Sequence, residues 1–116
     1  MSEKPDSLES ISSYLEDEFG MSPDERLEIL DIFFEESEGL INQIEEALKN
    51  SNCNEIAMHA HAIKGSAANI NASHLSSLAF YIEASGKSGN LIDANEKLPL
   101  LKNAFLTLQN EYASQK

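Results

Sequence analysis

The stretch that decides the fold is residues 22–49, which read SPDERLEILDIFFEESEGLINQIEEALK. Ser22 suits a helix N-cap and Pro23 suits the first helical position, and two acids follow in the first turn. Apolar residues then recur at helical spacing: Leu27, Leu30, Phe34, Ile41, Ile44 and Leu48, with Phe33 and Leu40 beside them. Because the remaining positions are mostly Glu, Asp, Asn and Gln, the pattern predicts a long amphipathic helix with an acidic outer face.

The same periodicity returns on both sides of this stretch, and no period-two strand pattern occurs. Ser73 is the expected cap of the fourth helix, and Pro99 fits the fifth if that helix begins near Asn95 or bends at Pro99. Since short connections between long helices favour antiparallel neighbours, we expect an all-α fold. It is an antiparallel up-and-down four-helix bundle with an additional short N-terminal helix, in one domain over 1–116. The predicted helices span about 7–19, 22–49, 53–70, 73–87 and 94–114.

Length and charge narrow the possible functions. The chain has 116 residues, enough for one domain, and its 8 basic and 20 acidic residues give a net charge of −12, which disfavours nucleic-acid binding. The lone Cys53 suits a reducing compartment. No apolar run approaches the roughly 20 residues of a membrane span, and no signal peptide is recognisable. We therefore expect a cytoplasmic protein without membrane contact, a monomer, and, from Met1 and the polar tail, a free-standing one.

Motifs typical of enzymes are missing, including the nucleotide-binding, zinc-protease and serine-hydrolase patterns. The unusual residues concentrate in residues 58–69, MHAHAIKGSAAN, where Gly65 interrupts a helical pattern. An interior glycine costs about 1 kcal/mol relative to alanine. A functional reason for Gly65 is therefore expected.

A helical wheel at about 100° per residue places His61 roughly 140° from the core direction, facing solvent. Its neighbours on that face are Ala57, Lys64, Gly65 and Ala68. Small side chains leave a path for a bulky anionic group, and the Lys64 ammonium can neutralise its charge, which suits phosphoryl transfer to the imidazole. The competing interpretation is a solvated histidine without function.

The other candidate ligands do not indicate a metal site. His59 diverges from His61 on a helix and is expected to pack with a polar tip, and His74 is expected at the surface. Metal-binding bundles carry inward Glu and Glu-x-x-His sets, whereas the inward stripes here are Leu, Ile, Phe and Ala. We predict no metal ligands.

Residues 61–70, HAIKGSAANI, resemble the signature of histidine-containing phosphotransfer (HPt) domains: His, any residue, Leu or Ile, Lys, Gly, two small residues, two of any kind, and Leu or Ile. Leu30–Phe34 with Ile41–Leu48 resembles the family's preceding helix, and Leu75–Glu83 resembles the following one. The resemblance covers nearly the whole chain. Asn71 departs from the Gly that many members carry, although Asn also tolerates the left-handed turn.

The resemblance implies a role for each matching residue. His61 would be phosphorylated, Lys64 would stabilise the phosphoryl group, and Gly65 would allow close approach of a partner. Glu83 matches the family's Gln or Glu that orients the histidine ring, and an acceptor on Nδ1–H leaves Nε2 as the nucleophile. Steric access would extend to Ala57 and Ala68, and docking candidates are Met58, Ile11 and Leu15, although the first helix can instead cap the core.

The implied function is a phosphorelay intermediate. His61 would take a phosphoryl group from the phospho-aspartate of a receiver domain, or from a kinase, and pass it to another receiver. Such a phosphocarrier has no nucleotide site, no autokinase activity and no cofactor of its own, since Mg²⁺ belongs to the receiver. Expected partners are response-regulator receivers and a hybrid histidine kinase. The alternative is a phosphate-independent helical adaptor, which requires neither Lys64 nor Gly65 beside an exposed histidine.

Overall fold

Residues 4–115 are described by the computed structural model, and the described part of the chain forms five α-helices and no strand. They are α1 (Leu8–Phe19), α2 (Pro23–Lys49), α3 (Cys53–Asn69), α4 (Ser73–Lys87) and α5 (Leu91–Ala113). The predicted domain also included residues 1–3 and 116. These positions, with Met1, lie outside the described residues.

Helices α2 to α5 form the bundle, in which each helix packs on the next and α5 returns to α2. Helix α1 packs on α2 and α5. The predicted antiparallel four-helix bundle with an extra N-terminal helix is confirmed. The apolar stripes meet in one core, to which α3 contributes Ile56, Ala60, Ile63 and Ala67. This placement leaves the His61 face of α3 outside the core.

Two positions of the predicted apolar stripes lie outside the core. Phe19 and Leu27 are both exposed. Phe19 is the last residue of α1, where its ring meets Tyr14 edge to face with ring centroids 5.8 Å apart. In α2 the buried stripe begins at Leu30. The core is therefore narrower at this end of the bundle than the sequence pattern indicates.

Helix α5 begins at Leu91, before the predicted 94 and before Asn95. The reason is a local cap, because Asn90 Oδ1 accepts a hydrogen bond from Asp93 N at 3.0 Å. Pro99 consequently lies inside the helix, at an exposed position. Asn90 is a residue type typical of N-caps, and it was the local signal for this earlier start.

The cap of α4 comes from a distant part of the chain. Ser73, the predicted cap, is the first helical residue, and Ala72 at the N-cap has no side-chain acceptor. Asp6 replaces it: its two carboxylate oxygens accept hydrogen bonds from His74 N at 3.0 Å and Leu75 N at 2.9 Å. A second distant contact joins Leu8 N to Glu111 Oε1 at 2.9 Å. Asp6, just before α1, is thus tied to α4, and Leu8, the first residue of α1, is tied to α5.

We expect Asp6→Ala to lower the free energy of unfolding by about 1 kcal/mol, because two amides of the first turn of α4 lose their acceptor. Urea denaturation followed by circular dichroism measures the change. Asp17→Ala is the matched control, since Asp17 is an exposed acid of α1. Equal stability of the two variants would show that the Asp6 cap contributes nothing.

Candidate functional site

Helices α3 and α4 are in tight backbone contact at Gly86. A Cβ atom at this position would lie 2.8 Å from the backbone nitrogen of Ala57 and 2.9 Å from the carbonyl oxygen of Cys53. No side chain fits there without moving one helix away from the other. Gly86 is also one turn from Glu83, so this contact sets the distance between Glu83 and the face of α3 opposite it.

His61 and Glu83 meet across this helix pair. The His61 Nδ1 atom lies 2.8 Å from Glu83 Oε2, and the side chains are 66% and 4% exposed, respectively. An ionised carboxylate only accepts hydrogen bonds. The Nδ1 atom therefore carries a proton and donates a hydrogen bond to Glu83. The Nε2 atom is left with its lone pair, on a ring that faces solvent. The structure therefore brings Glu83 to the His61 ring, as the resemblance to the family implies.

Lys64 shares the same carboxylate. Its ammonium lies 2.7 Å from Glu83 Oε1 and 5.7 Å from the centre of the Phe80 ring. Oε1 is fully buried and accepts no well-directed hydrogen bond from the described residues, so the Lys64 charge compensates it. Ser76 Oγ donates to the carbonyl oxygen of Lys64 at 3.0 Å, which holds the backbone of Lys64 against α4.

A second cation completes the cluster, since Lys87 Nζ lies 3.2 Å from Glu83 Oε2. Burial raises the pKa of Glu83, but the close contacts of its carboxylate with Lys64, His61 and Lys87 outweigh burial and lower that pKa from 4.5 to about 2. Glu83 consequently stays ionised at neutral pH. A buried carboxylate that keeps its charge is an acceptor for His61 over the whole physiological range.

This low pKa predicts how the protein responds to acid. A carboxyl group with a depressed pKa stabilises the fold above its usual pKa, and the contribution is lost as the pH falls from about 4.5 to about 2. We expect the loss to be on the order of 2 kcal/mol. Thermal melts between pH 7 and pH 2 measure it. Glu83→Gln should flatten this part of the profile, and an unchanged acid profile would contradict the assignment.

The collar of small residues around His61 has two different origins. Gly65 is exposed, and a Cβ built on it would meet nothing within 4 Å, so packing within the chain does not require glycine there. Ala68 is likewise exposed. Ala57 is half-buried, and a Cβ atom added at position 86 would lie 3.1 Å from the Cβ of Ala57. The small size of Ala57 therefore serves the contact between helices α3 and α4.

The prediction of docking residues is wrong for two residues of α1. Ile11 and Leu15 are each 1% exposed, because the apolar face of α1 closes the core at this end of the bundle. The core-capping interpretation of the first helix applies to both. Met58, one turn from His61 on α3, is exposed and stays a candidate for docking.

Sequence reasoning found Glu83 but missed the other α4 residues of the site. Three other residues of α4 lie within one turn of Glu83 and border the same site beside α3: Phe80, Gly86 and Lys87. The spacing of an aromatic ring three residues before Glu83 and a lysine four residues after it could have indicated both side chains. Gly65 belongs to the family signature, whereas no motif or periodicity marks Gly86.

Other candidate features stay separate from this cluster. His59, His74 and Cys53 are half-buried. Within residues 4–115, no three His, Cys, Asp or Glu side chains are placed to hold a metal ion. The same residues contain no helix with the length and apolar character needed to cross a membrane.

Comparisons with known proteins give a consistent result. Histidine-containing phosphotransfer protein B from Pseudomonas aeruginosa PAO1 has a similar fold: TM-score 0.82, 22% identity, coverage of 99% of this chain and 96% of that one. The histidine-containing phosphotransfer protein MtHPt2 from Medicago truncatula gives TM-score 0.80, 27% identity, and coverage of 95% and 75%. Curated proteins give no significant match. The model of the Hpt domain matches residues 28–111, a range that includes His61 and Glu83, and the chain therefore belongs to the Hpt domain family, whose role is histidine phosphotransfer in phosphorelays.

Proposed function

We propose that this chain carries a phosphoryl group on His61 Nε2, received from the phospho-aspartate of one receiver domain or from a kinase and passed to another receiver. The observation that carries the proposal is the solvent-facing imidazole whose Nδ1 lies 2.8 Å from the buried carboxylate of Glu83. In the neutral ring this contact fixes the proton on Nδ1, and Nε2 keeps its lone pair on a side chain that faces solvent. A nucleophile held in this way does not depend on chance ring orientation.

The transfer step balances without a further reactant. The Nε2 lone pair attacks the phosphorus atom, an N–P bond forms, and the P–O bond to the aspartyl group breaks in line. The aspartate leaves as a carboxylate. The ring keeps its Nδ1 proton and becomes a phosphoimidazolium, whose positive charge faces the Glu83 carboxylate. Transfer to a second receiver is the same reaction in reverse.

The surface around His61 suits a protein partner that must come close. Gly65 and Ala68 present no bulk beside the ring, and Met58 and Phe80 offer exposed apolar contacts on α3 and α4. Lys64 supplies positive charge one turn from His61. In this proposal the receiver contributes its aspartate and the bound Mg²⁺, and this chain contributes the nucleophile, one cation and an open surface.

The direct test is incubation of the purified chain with a phosphorylated receiver domain or with phosphoramidate, followed by intact-mass analysis. We expect a single added phosphate that is labile in acid and stable in base, as phosphoramidate bonds are. A chain that stays unmodified under conditions that label another phosphotransfer domain would overturn the proposal. That result would favour the phosphate-independent adaptor.

A further inference from the structure

The Glu83 carboxylate has more positive partners than the resting state requires. Lys64 lies 2.7 Å from Oε1 and Lys87 lies 3.2 Å from Oε2, while His61 donates to Oε2 from 2.8 Å. If the ring is neutral, one negative charge faces two ammonium groups. This local excess of positive charge stands out in a chain whose net charge is −12.

A phosphoryl group on His61 offsets that excess, because its about 1.5 to 2 negative charges outweigh the single positive charge that the ring gains. Lys64, one helical turn from His61, is the cation of α3 placed to reach it. Turning toward the phosphoryl group would take the Lys64 ammonium away from Glu83 Oε1. That oxygen is fully buried and has no well-directed hydrogen bond from the described residues. A buried carboxylate that loses its counter-ion opposes the movement.

We propose that Lys87 is a positioning residue that keeps Glu83 charge-compensated and so releases Lys64 to pair with the phosphoryl group. The proposal rests on phosphorylation of His61, as proposed above. Lys87 reaches Glu83 from the following turn of α4, and its side chain is 68% exposed, so its own position does not depend on the core. Lys87 acts through Glu83 and Lys64 and is not itself required for attack on phosphorus.

Lys87→Gln tests the role of Lys87, with Lys49→Gln as the matched control. Lys49 also sits near a helix end, its side chain is 74% exposed, and its contact with Glu46 is 4.0 Å long. Both variants remove one charge from the surface. The readouts are the equilibrium between phosphorylated His61 and a phosphorylated receiver, and the half-life of the phosphorylated chain.

We expect Lys87→Gln to shift the equilibrium toward the receiver by about three- to tenfold, the size of a partly exposed charge effect. Lys49→Gln should match the wild type, and Lys87→Arg should restore retention. An NMR titration that follows the carboxyl carbon of Glu83 adds a readout without phosphate. In the Lys87→Gln variant it should give a higher pKa for this carboxyl group than in the wild type. Together these results separate a charge role from a loss of structure.

The outcomes distinguish this inference from the function on which it rests. Equal retention of phosphate by the Lys87→Gln and Lys49→Gln variants, with a labelled wild type, overturns the role of Lys87 alone. Failure of Lys87→Arg to restore retention does the same. A wild type that accepts no phosphate overturns both proposals.

Discussion

His61→Gln is expected to reduce phosphoryl acceptance to background while leaving the fold intact. The amide nitrogen of glutamine is not a nucleophile, so the N–P bond cannot form. Stability should change by less than about 1 kcal/mol, because the His61 side chain is 66% exposed and the new amide can donate to Glu83 in its place. Intact mass after incubation with a phosphorylated receiver measures acceptance, and a thermal melt measures stability.

The control for this variant is His59→Gln, two residues away on the same helix and half-buried. It should accept phosphate as the wild type does. Acid-labile phosphate retained by the His61→Gln variant would place the modification on another side chain and contradict the site. A large loss of helicity would mean that His61 contributes to the core, against its exposed position in the structure.

Alanine at two glycine positions should change stability in opposite directions, since the same substitution meets different surroundings. Gly86→Ala places a methyl group 2.8 Å from a backbone nitrogen and 2.9 Å from a backbone oxygen. We expect a loss of about 2 kcal/mol, because one helix must move away from the other. Gly65→Ala meets nothing within 4 Å and should gain about 1 kcal/mol from helix propensity.

Urea denaturation of both variants measures this difference in stability. Phosphotransfer assays measure a second difference, in the rate of transfer. Gly86→Ala should weaken transfer by separating Glu83 from His61, whereas Gly65→Ala should weaken it only by adding bulk where the receiver docks. A receiver titration separates these effects, because the first survives saturation with receiver and the second does not. Stabilisation by Gly86→Ala would contradict the close packing of α3 on α4.

The fold was predictable because each helix carries its own periodic stripe. The core positions Ile56, Ala60, Ile63 and Ala67 follow from spacing alone, and so does the exposed position of His61 on the opposite side of the helix. The contact between His61 and Glu83 was expected from the resemblance to the family. Periodicity by itself places neither residue opposite the other, since it carries no register between helices.

The features that escaped prediction depend on contacts between distant positions. Asp6 caps α4, so Ser73 is not needed as a cap, and no local pattern shows this. Ile11 and Leu15 form an apolar stripe that serves equally well for docking or burial until the neighbouring helices are in place. Helical periodicity treats Gly65 and Gly86 alike, and only the packing of α4 on Cys53 and Ala57 of α3 shows that Gly86 must be small.

The long-range hydrogen bonds of Asp6 and Leu8 also impose an order on folding. The Asp6 contacts reach residues 68 and 69 positions away, and the Leu8 amide reaches a side chain 103 positions away. During synthesis α1 leaves the ribosome before either partner exists, and it must wait until α5 has emerged. Helices α3 and α4, joined by a short turn, meet early by comparison. The helix pair that carries His61 and Glu83 can therefore assemble before α1 docks on the rest of the bundle.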